Sequence, residues 1–385
     1  MYKVKALSLW MTMSFLSSFS FAQSRDLSYS ASCGGQDNTV FLSFVGDILV
    51  HDAIYKSVMS GSQRFSQTWK RTDPLIQKAD LSVANLEGPT ALGIDRRGKD
   101  HGDVGFTYDL NIYSGTNFSF NFHPRILIDL KNSGYDLITT ANNHSLDRGS
   151  IGIDRSIEAA RKVGVPTVGT RMASERNAEF FKVMKVKGLN VGFVSCTEMT
   201  NGHADRNEQL LFCYKQANQV VDIIRELSER SDVDAVIVLP HWGQEYKANP
   251  DERQKSYAKR FLDAGATAIV GSHPHVLQPW EKYVTKDGRE TVIMYSLGNF
   301  LAYQAGLEKK TGAVAYIGLV ASSSGKAKIA GVAYTPTYRD GTEIYTVSSK
   351  HRSVLAHAAL HFGTKNRLDP ADSLSAQICS KAQMQ

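Results

Sequence analysis

The chain is predicted to be an α/β protein built on a mixed sheet or on two packed sheets, and three observations predict it. Five short apolar runs alternate with helix-like stretches, the pattern of βαβ units whose sheet is covered on both faces. The runs are β-branched and uninterrupted, as strands buried on both sides are. From residue 288 to 338 Gly-punctuated short runs follow one another and read as antiparallel strands. At 385 residues, 42% hydrophobic and 21% charged, the chain can bury a sizeable core, which excludes a disordered, collagen-like or coiled-coil protein. Mean hydropathy is −0.26 and the one long apolar stretch lies at the extreme N-terminus, which excludes a polytopic membrane protein.

Residues 1–22, MYKVKALSLWMTMSFLSSFSFA, join two lysines, an apolar run and the small residues Ser20 and Ala22, the layout of a cleavable secretory signal. The run is broken by serines and short for a bilayer span, so no stable transmembrane segment is expected after cleavage; an uncleaved anchor is the competing reading. Cleavage takes Lys3 and Lys5 from a formal charge of +6, and what remains is too small to argue for nucleic acid. Residues 23–39 then form an N-terminal segment, 40–345 the globular domain, and 346–385 a tail of weak periodicity expected at the periphery.

Within the domain, run 40–45 ends in Gly46-Asp47, and 80–84 in Asn85-Leu86-Glu87. Run 136–141 ends in Asn142-Asn143-His144, 235–239 in Pro240-His241, and 266–270 in Gly271-Ser272-His273-Pro274-His275. Residues 125–133, 151–163, 217–231 and 252–264 are helix-like. Residues 180–194 read as a hairpin turning at Lys187-Gly188, and 292–295, 313–320 and 327–334 as the later short strands. Cys33, Cys196, Cys213 and Cys379 include no C-x-x-C pair, which argues against zinc ribbons and thioredoxin-type chemistry. An even count in an exported chain fits disulfides, with three possible connectivities. Cys196 with Cys213 would staple a polar loop and Cys33 with Cys379 would tie the chain ends; free buried thiols are the alternative.

The residues that close the five runs carry the chemistry. In open α/β sheets ligands bind at the carboxyl ends of strands, where the loops converge on one crevice. A lone histidine there is ordinarily a structural hydrogen-bonder, but five such endings on one edge point to a metal centre. Carboxylate, amide oxygen and imidazole without thiolate suit Zn²⁺, Mn²⁺ or Fe rather than Ca²⁺ or a cysteine-type structural zinc. Asp47, Glu87, Asn143, His241, His273 and His275 are more ligands than one four-coordinate ion uses, so two divalent transition metal ions are expected. Such a pair serves displacement at phosphorus or water attack on an acyl carbon.

The segments FVGDILVH, ANLEGP, TTANNHSLDRG, LPHWGQEY, GSHPHVLQPWE and YSLGNF resemble the capsule-synthesis CapA family, also called poly-γ-glutamate biosynthesis proteins. That family is related to the calcineurin-like metallophosphoesterases. The similarity runs from about Phe41 to Phe300 and implies a four-layer αββα sandwich, with two metals at the sheet edge. It also implies a role at the cell envelope in making or attaching an anionic polymer. Asn143-His144 resembles the metallophosphoesterase pair in which the Asn oxygen binds a metal and the His protonates the leaving oxygen. The resemblance thus makes His144 the general acid, oriented by Asp147 or another carboxylate. His241 resembles the single metal histidine, residues 271–275 the G-H-x-H block, and Asp47 the first aspartate.

Two positions depart from the family. Leu49 stands where a histidine is usual, leaving His51 as an irregular substitute, and Asn85 stands where a bridging aspartate is expected. An amide bridges cations poorly, which passes that task to Glu87. Arg148 has the fork to hold a phosphate or carboxylate, a solvated arginine at a helix start being the alternative. Glu245 reads as a partner for a ligand histidine or as a base, and Asn299 as a site-lining residue or a turn former. His101, His123, His203, His351, His357 and His361 read as background, and the loop 96–121 as a lid or substrate rim.

The expected protein is an exported, periplasmic or surface metal-dependent phosphoesterase. It acts on a phosphorylated small molecule or an anionic polymer, with capsule-assembly proteins as further partners. An amide hydrolase of polyglutamate or peptidoglycan-like polymer, and a non-catalytic polymer-binding assembly or export factor, are the alternatives.

Overall fold

The computed structural model describes residues 25–33, 38–116, 119–322 and 325–379; the signal-like residues 1–22 lie outside them. Each apolar run is a strand: Thr39–Leu49, Leu81–Leu86, Leu137–Thr139, Ala235–His241 and Ala268–Val270. The intervening helices are Arg125–Ser133, Gly149–Val163, Ala217–Glu229 and Glu252–Asp263. The last begins in a capping box, Asp251 accepting from the Gln254 amide and Gln254 reaching back to the Asp251 amide. Phe181–Val186 and Leu189–Thr197 form the hairpin around Lys187 and Gly188.

The strands divide between two mixed sheets. The first runs Glu343–Thr346, Lys328–Asp340, Thr311–Val320, Thr39–Leu49, Leu81–Leu86, Leu137–Thr139, Thr167–Val168, with Asn299–Ala302 joined to the end of Thr39–Leu49. The second runs Leu277–Val284, Glu290–Leu297, Ala268–Val270, Ala235–His241, Leu189–Thr197, Phe181–Val186.

The two-residue period of a strand explains why the runs are apolar throughout. Val40, Leu42 and Phe44 meet Val191, Phe193, Ile237 and Leu239 in a core between the sheets. Phe41 and Val45 face the opposite way, into a core shared with Ile126, Leu127 and Leu130 of helix Arg125–Ser133. On the far side Val194, Val236 and Val238 pack with Val220, Ile224, Phe261 and Leu262 of the other two-helix layer. The order is helix, sheet, sheet, helix, the αββα sandwich that the family resemblance implies.

Two expectations are corrected. Residues 288–338 do not form one series: Glu290–Leu297 pairs antiparallel with Leu277–Val284 and in parallel with Ala268–Val270 in the second sheet, whereas Thr311–Val320 and Lys328–Asp340 pair antiparallel in the first. The crossing is a long-range event that local pattern does not reveal. The tail is not peripheral either, since helix Arg352–Phe362 buries Ala358 and Phe362 in the core between the sheets, Phe362 lying 4.8 Å from Trp280. The buried Val354, Ala358, His361 and Phe362 fall at helical spacing, but the exposed Leu360 on the other face blurs the pattern. The disulfides are Cys33–Cys379 and Cys196–Cys213. No helix among the described residues is long and apolar enough to cross a membrane.

Candidate metal centre

Strands of both sheets deliver their C-terminal residues to one buried cluster. Thr39–Leu49 presents Asp47 at an irregularity in its register against Leu81–Leu86. There the Asp47 amide donates to the Gly298 carbonyl at 3.0 Å. A Cβ on Gly46 would lie 1.9 Å from that carbonyl oxygen, so only glycine permits the approach. Asp47 thereby stands level with Asn85 on one neighbouring strand and Asn299 on the other. Glu87 follows Leu81–Leu86 directly, its amide donating to the Ile48 carbonyl at 3.0 Å.

In the second sheet His241 ends Ala235–His241, and the turn after Ala268–Val270 carries His273 and His275. Both have positive φ, 101° and 59°. Such a conformation costs a non-glycine residue on the order of 1–3 kcal/mol. Asp47 helps hold the turn by accepting the His273 amide at 3.3 Å from either carboxylate oxygen.

Asp47, Glu87, Asn143, His241, His273 and His275 are all buried. Two groups of ligand atoms each lie within 4.8 Å of one another, Glu87–His241–His273 and Asp47–Glu87–His275, and Glu87 belongs to both. Glu87 Oε1 is 3.6 Å from His241 Nε2 and 3.7 Å from His275 Nε2. Neither Glu87 oxygen has a hydrogen-bond partner, and a carboxylate so stranded is costly unless a cation meets it. His241 Nε2 faces His273 Nδ1 at 3.1 Å and Asn143 Oδ1 at 2.8 Å. This is the donor chemistry a divalent transition metal takes, and the residues fit such ions.

Burial pushes His241 and His273 down to about 3, so both rings are neutral and offer lone pairs. Burial pushes Glu87 up to about 7, the nearby Asp47 charge adding to it against the pull of His275. Burial would lower His275 as well, but Glu87 and Asp47 outweigh it and hold that ring at about 10. Asp47 stays below its ordinary value despite burial because of its hydrogen bond to His275 and that ring's charge.

Neighbouring polar groups hold these donors. Asn85 donates to Asp47 Oδ1 at 2.8 Å, accepts from Thr139 Oγ1 at 3.0 Å and lies 3.3 Å from His241 Nδ1. Ser272 Oγ is 2.9 Å from His241 Nδ1, and Asn299 Oδ1 is 2.9 Å from His275 Nδ1. His51 stands outside both groups, its Nδ1 3.1 Å from the Leu49 carbonyl and 3.2 Å from the Tyr303 amide. Glu245 is half-buried and also outside them.

His144 is buried beside the cluster. Its Nδ1 is 2.8 Å from Asp147 Oδ2, which also accepts the Phe120 amide at 2.6 Å. The Phe120 ring meets the imidazole edge-on at 4.7 Å. Burial lowers the His144 pKa, but the hydrogen bond and charge of Asp147, with the Glu87 charge, outweigh it and raise it above the ordinary value.

Arg148, expected at an anion, spends its donors inside the protein. They reach the Ile94, Ile112 and Asp147 carbonyls and the Ser114 and Ser119 hydroxyls. It fastens Ile112, Ser114 and Ser119, and the adjoining Phe120 reaches His144. Of the background histidines, His101 pairs with Asp95 at 2.9 Å, and His123 packs on Phe106 and Tyr113. His357 and His361 meet on the tail helix, and His203 and His351 join neither ligand group. Sequence reasoning missed Ser272 as a partner of His241. It also missed Asn201, whose Oδ1 accepts from Asn143 Nδ2 at 3.3 Å. The available signal was an Asn-Gly dipeptide in a loop bracketed by Cys196 and Cys213.

The bacterial capsule synthesis protein family PGA_cap matches residues 41–304. The PGA biosynthesis protein CapA of Bacillus subtilis (strain 168) is 26% identical over 294 residues, covering 76% of this chain and 71% of the relative. The capsule biosynthesis protein CapA of Bacillus anthracis is 26% identical over 288 residues, covering 72% of this chain and 64% of the relative, just under two thirds of its length. A solved structure, sulfate thiohydrolase SoxB of Thermus thermophilus in complex with glycerol, aligns with 80% of this chain and 46% of its own at a TM-score of 0.37 and 13% identity. With more than half its length matched, including the strand ends that form the cluster, the chain belongs to the bacterial capsule synthesis protein family PGA_cap.

Proposed function

We propose that this chain is an exported metal-dependent hydrolase that cleaves a phosphoester in the metabolism of an anionic capsule polymer. The observation that carries the reading is Glu87, fully buried, without a hydrogen bond and shared between two ligand groups. Asp47, Glu87 and His275 would hold one divalent ion, His275 releasing its proton as the ion binds, and Glu87, His241, His273 and Asn143 would hold the other. A pair of such ions polarises phosphoryl oxygens and lowers the pKa of an attacking water.

The chain's own residues do the rest. Asn85, Ser272 and Asn299 fix the orientation of Asp47, His241 and His275 through the contacts given above. Asp147 holds His144 by Nδ1, which leaves Nε2 to give a proton to the leaving oxygen. Phe120, packed on the ring, excludes water from one side. The two disulfides support an oxidising compartment outside the cytoplasm, in keeping with the signal-like N-terminus.

Elemental analysis of the native protein, followed by turnover of a p-nitrophenyl phosphomonoester and diester, tests this reading. Two transition-metal equivalents with phosphoesterase turnover support it. Two equivalents with amine release from polyglutamate, and no phosphoesterase turnover, replace it with the amidase. Absence of stoichiometric metal from protein purified without chelator leaves a polymer-binding factor.

A further inference from the structure

We propose that Asn201 is a positioning residue for the metal centre, delivered by the loop that the Cys196–Cys213 disulfide staples. The proposal rests on the two-ion reading above. The ligand groups come from both sheets, and this loop, besides His241, reaches from the second sheet to the Asn143–His144 turn of the first. It leaves strand Leu189–Thr197, and its base is closed by the disulfide, by the Thr197 amide on the Leu211 carbonyl and by the Cys213 amide on the Thr197 carbonyl. Its far side is pinned next to helix Gly149–Val163, where Asn207 donates to Ser150 Oγ at 2.7 Å and Gln209 to Asp154 Oδ1 at 2.8 Å. Between these fixings lies Asn201, in the left-handed region at φ 50° and followed by Gly202 at φ 83°. Asparagine tolerates that conformation better than most residues.

The consequence falls on Asn143. An amide has one oxygen end and one nitrogen end, and only the oxygen end binds a cation. The Nδ2 of Asn143 donates to Asn201 Oδ1 at 3.3 Å, so its Oδ1 is the end turned to His241 Nε2 at 2.8 Å. Asn201 thus holds the amide in the ligating sense. With Nδ1 of His144 engaged by Asp147, the Asn201 amide nitrogen 3.4 Å from it is a packing neighbour that keeps the Asn143–His144 turn in place. Losing an outer partner of this kind ordinarily weakens metal affinity about 10- to 100-fold. Opening the staple releases the same residue, so retention of this ion depends on the oxidised cysteine pair.

The test is competition of the full chain against a chelator of known affinity, with Mn²⁺ and with Zn²⁺, and circular dichroism as the folding control. Asn201→Ala is expected to weaken one of two ions about 10- to 100-fold and leave the other within a few-fold. Asn201→Asp, which keeps an acceptor facing Asn143, is expected to retain both. The Cys196→Ser/Cys213→Ser protein is expected to weaken the same ion as Asn201→Ala. Should that double variant fail to fold, the Asn201 pair decides alone. Wild-type dissociation constants for both ions in Asn201→Ala overturn the role of Asn201 and leave the two-ion reading intact. A wild-type protein that binds neither ion overturns both.

Discussion

Glu87 shows why a single side chain decides so much here. It is buried without a hydrogen bond and beside Asp47 of like charge, and in the ion-free protein the charged His275 ring, 3.7 Å away, is what offsets it. Because it stands in both ligand groups, Glu87→Gln is expected to empty both ion positions, while His275→Ala empties one; metal analysis of the two variants separates these outcomes. His144→Ala is expected to lower kcat by about 10²–10⁴, the usual range for a positioned acid, with metal content unchanged. Equal turnover in that variant rules His144 out as the acid.

The same residues set a pH signature for chelator-treated protein. His241 and His273 sit at about 3 against an ordinary 6.5, so the unfolded chain takes their protons first and stability falls as pH drops below 6.5. His275 sits at about 10, and what it contributes is present below 6.5 and lost as pH climbs toward 10. Glu87, raised from 4.5 to about 7, opposes the two lowered histidines across that interval but is outnumbered. The site's contribution therefore peaks near pH 6.5. Melting temperature against pH, compared between stripped and reloaded protein, checks this; a stripped protein whose deficit is the same at pH 5, 6.5 and 9 contradicts it.

At the scale of an element, position follows from backbone approach as much as from side chains. The first strand brings Asp47 to the cluster only because Gly46 lets it touch the Gly298 carbonyl, where a Cβ would stand 1.9 Å from oxygen. Gly46→Ala is expected to destabilise by roughly 1–3 kcal/mol through overpacking and to lose the ion proposed for Asp47. A variant that melts at the wild-type temperature and retains both ions refutes that coupling. The strand endings were legible because the residue types there, Asp47, Glu87, Asn143, His241 and His273, interrupt apolar runs at their C-terminal ends. What was not legible is which polar group binds and which supports. Arg148 has the fork for an anion, yet the same fork suits the backbone carbonyls it actually meets. Asn85 and Asn143 are the same residue type at two strand ends, and the contacts that distinguish them come from residues far away in sequence.

At the scale of the whole molecule, local pattern reaches a mixed sheet or two packed sheets, and the αββα order is what the family resemblance adds. The helices and parallel strands follow from alternation of periods, but the assignment of Glu290–Leu297 to one sheet and Thr311–Val320 to the other depends on a long-range choice at Gly298. The tail shows the same limit, since helix Arg352–Phe362 earns its place through a few buried side chains against the core between the sheets. The ends of the chain are joined as well: Leu27 exchanges hydrogen bonds with Asn366, and Cys33 is bonded to Cys379. This staple closes a sequence separation of 346, against 17 for Cys196–Cys213. On chain entropy alone the longer loop contributes more, with about 2–4 kcal/mol typical for a disulfide.

The staple's position predicts what its loss leaves untouched. Ile378, next to Cys379, packs over Gly318, which is level with Phe41, six residues and roughly 20 Å of strand before Asp47. Cys33→Ser/Cys379→Ser is therefore expected to lower the melting temperature while retaining both ions and their affinities. The Cys196→Ser/Cys213→Ser protein is expected to do the reverse in proportion, losing one ion with a smaller thermal deficit. Calorimetry and metal competition on the two double variants read both quantities. If loss of the terminal staple strips the metals as well, the ends of these strands are coupled through the sheet, and the cluster is not an independently rigid site.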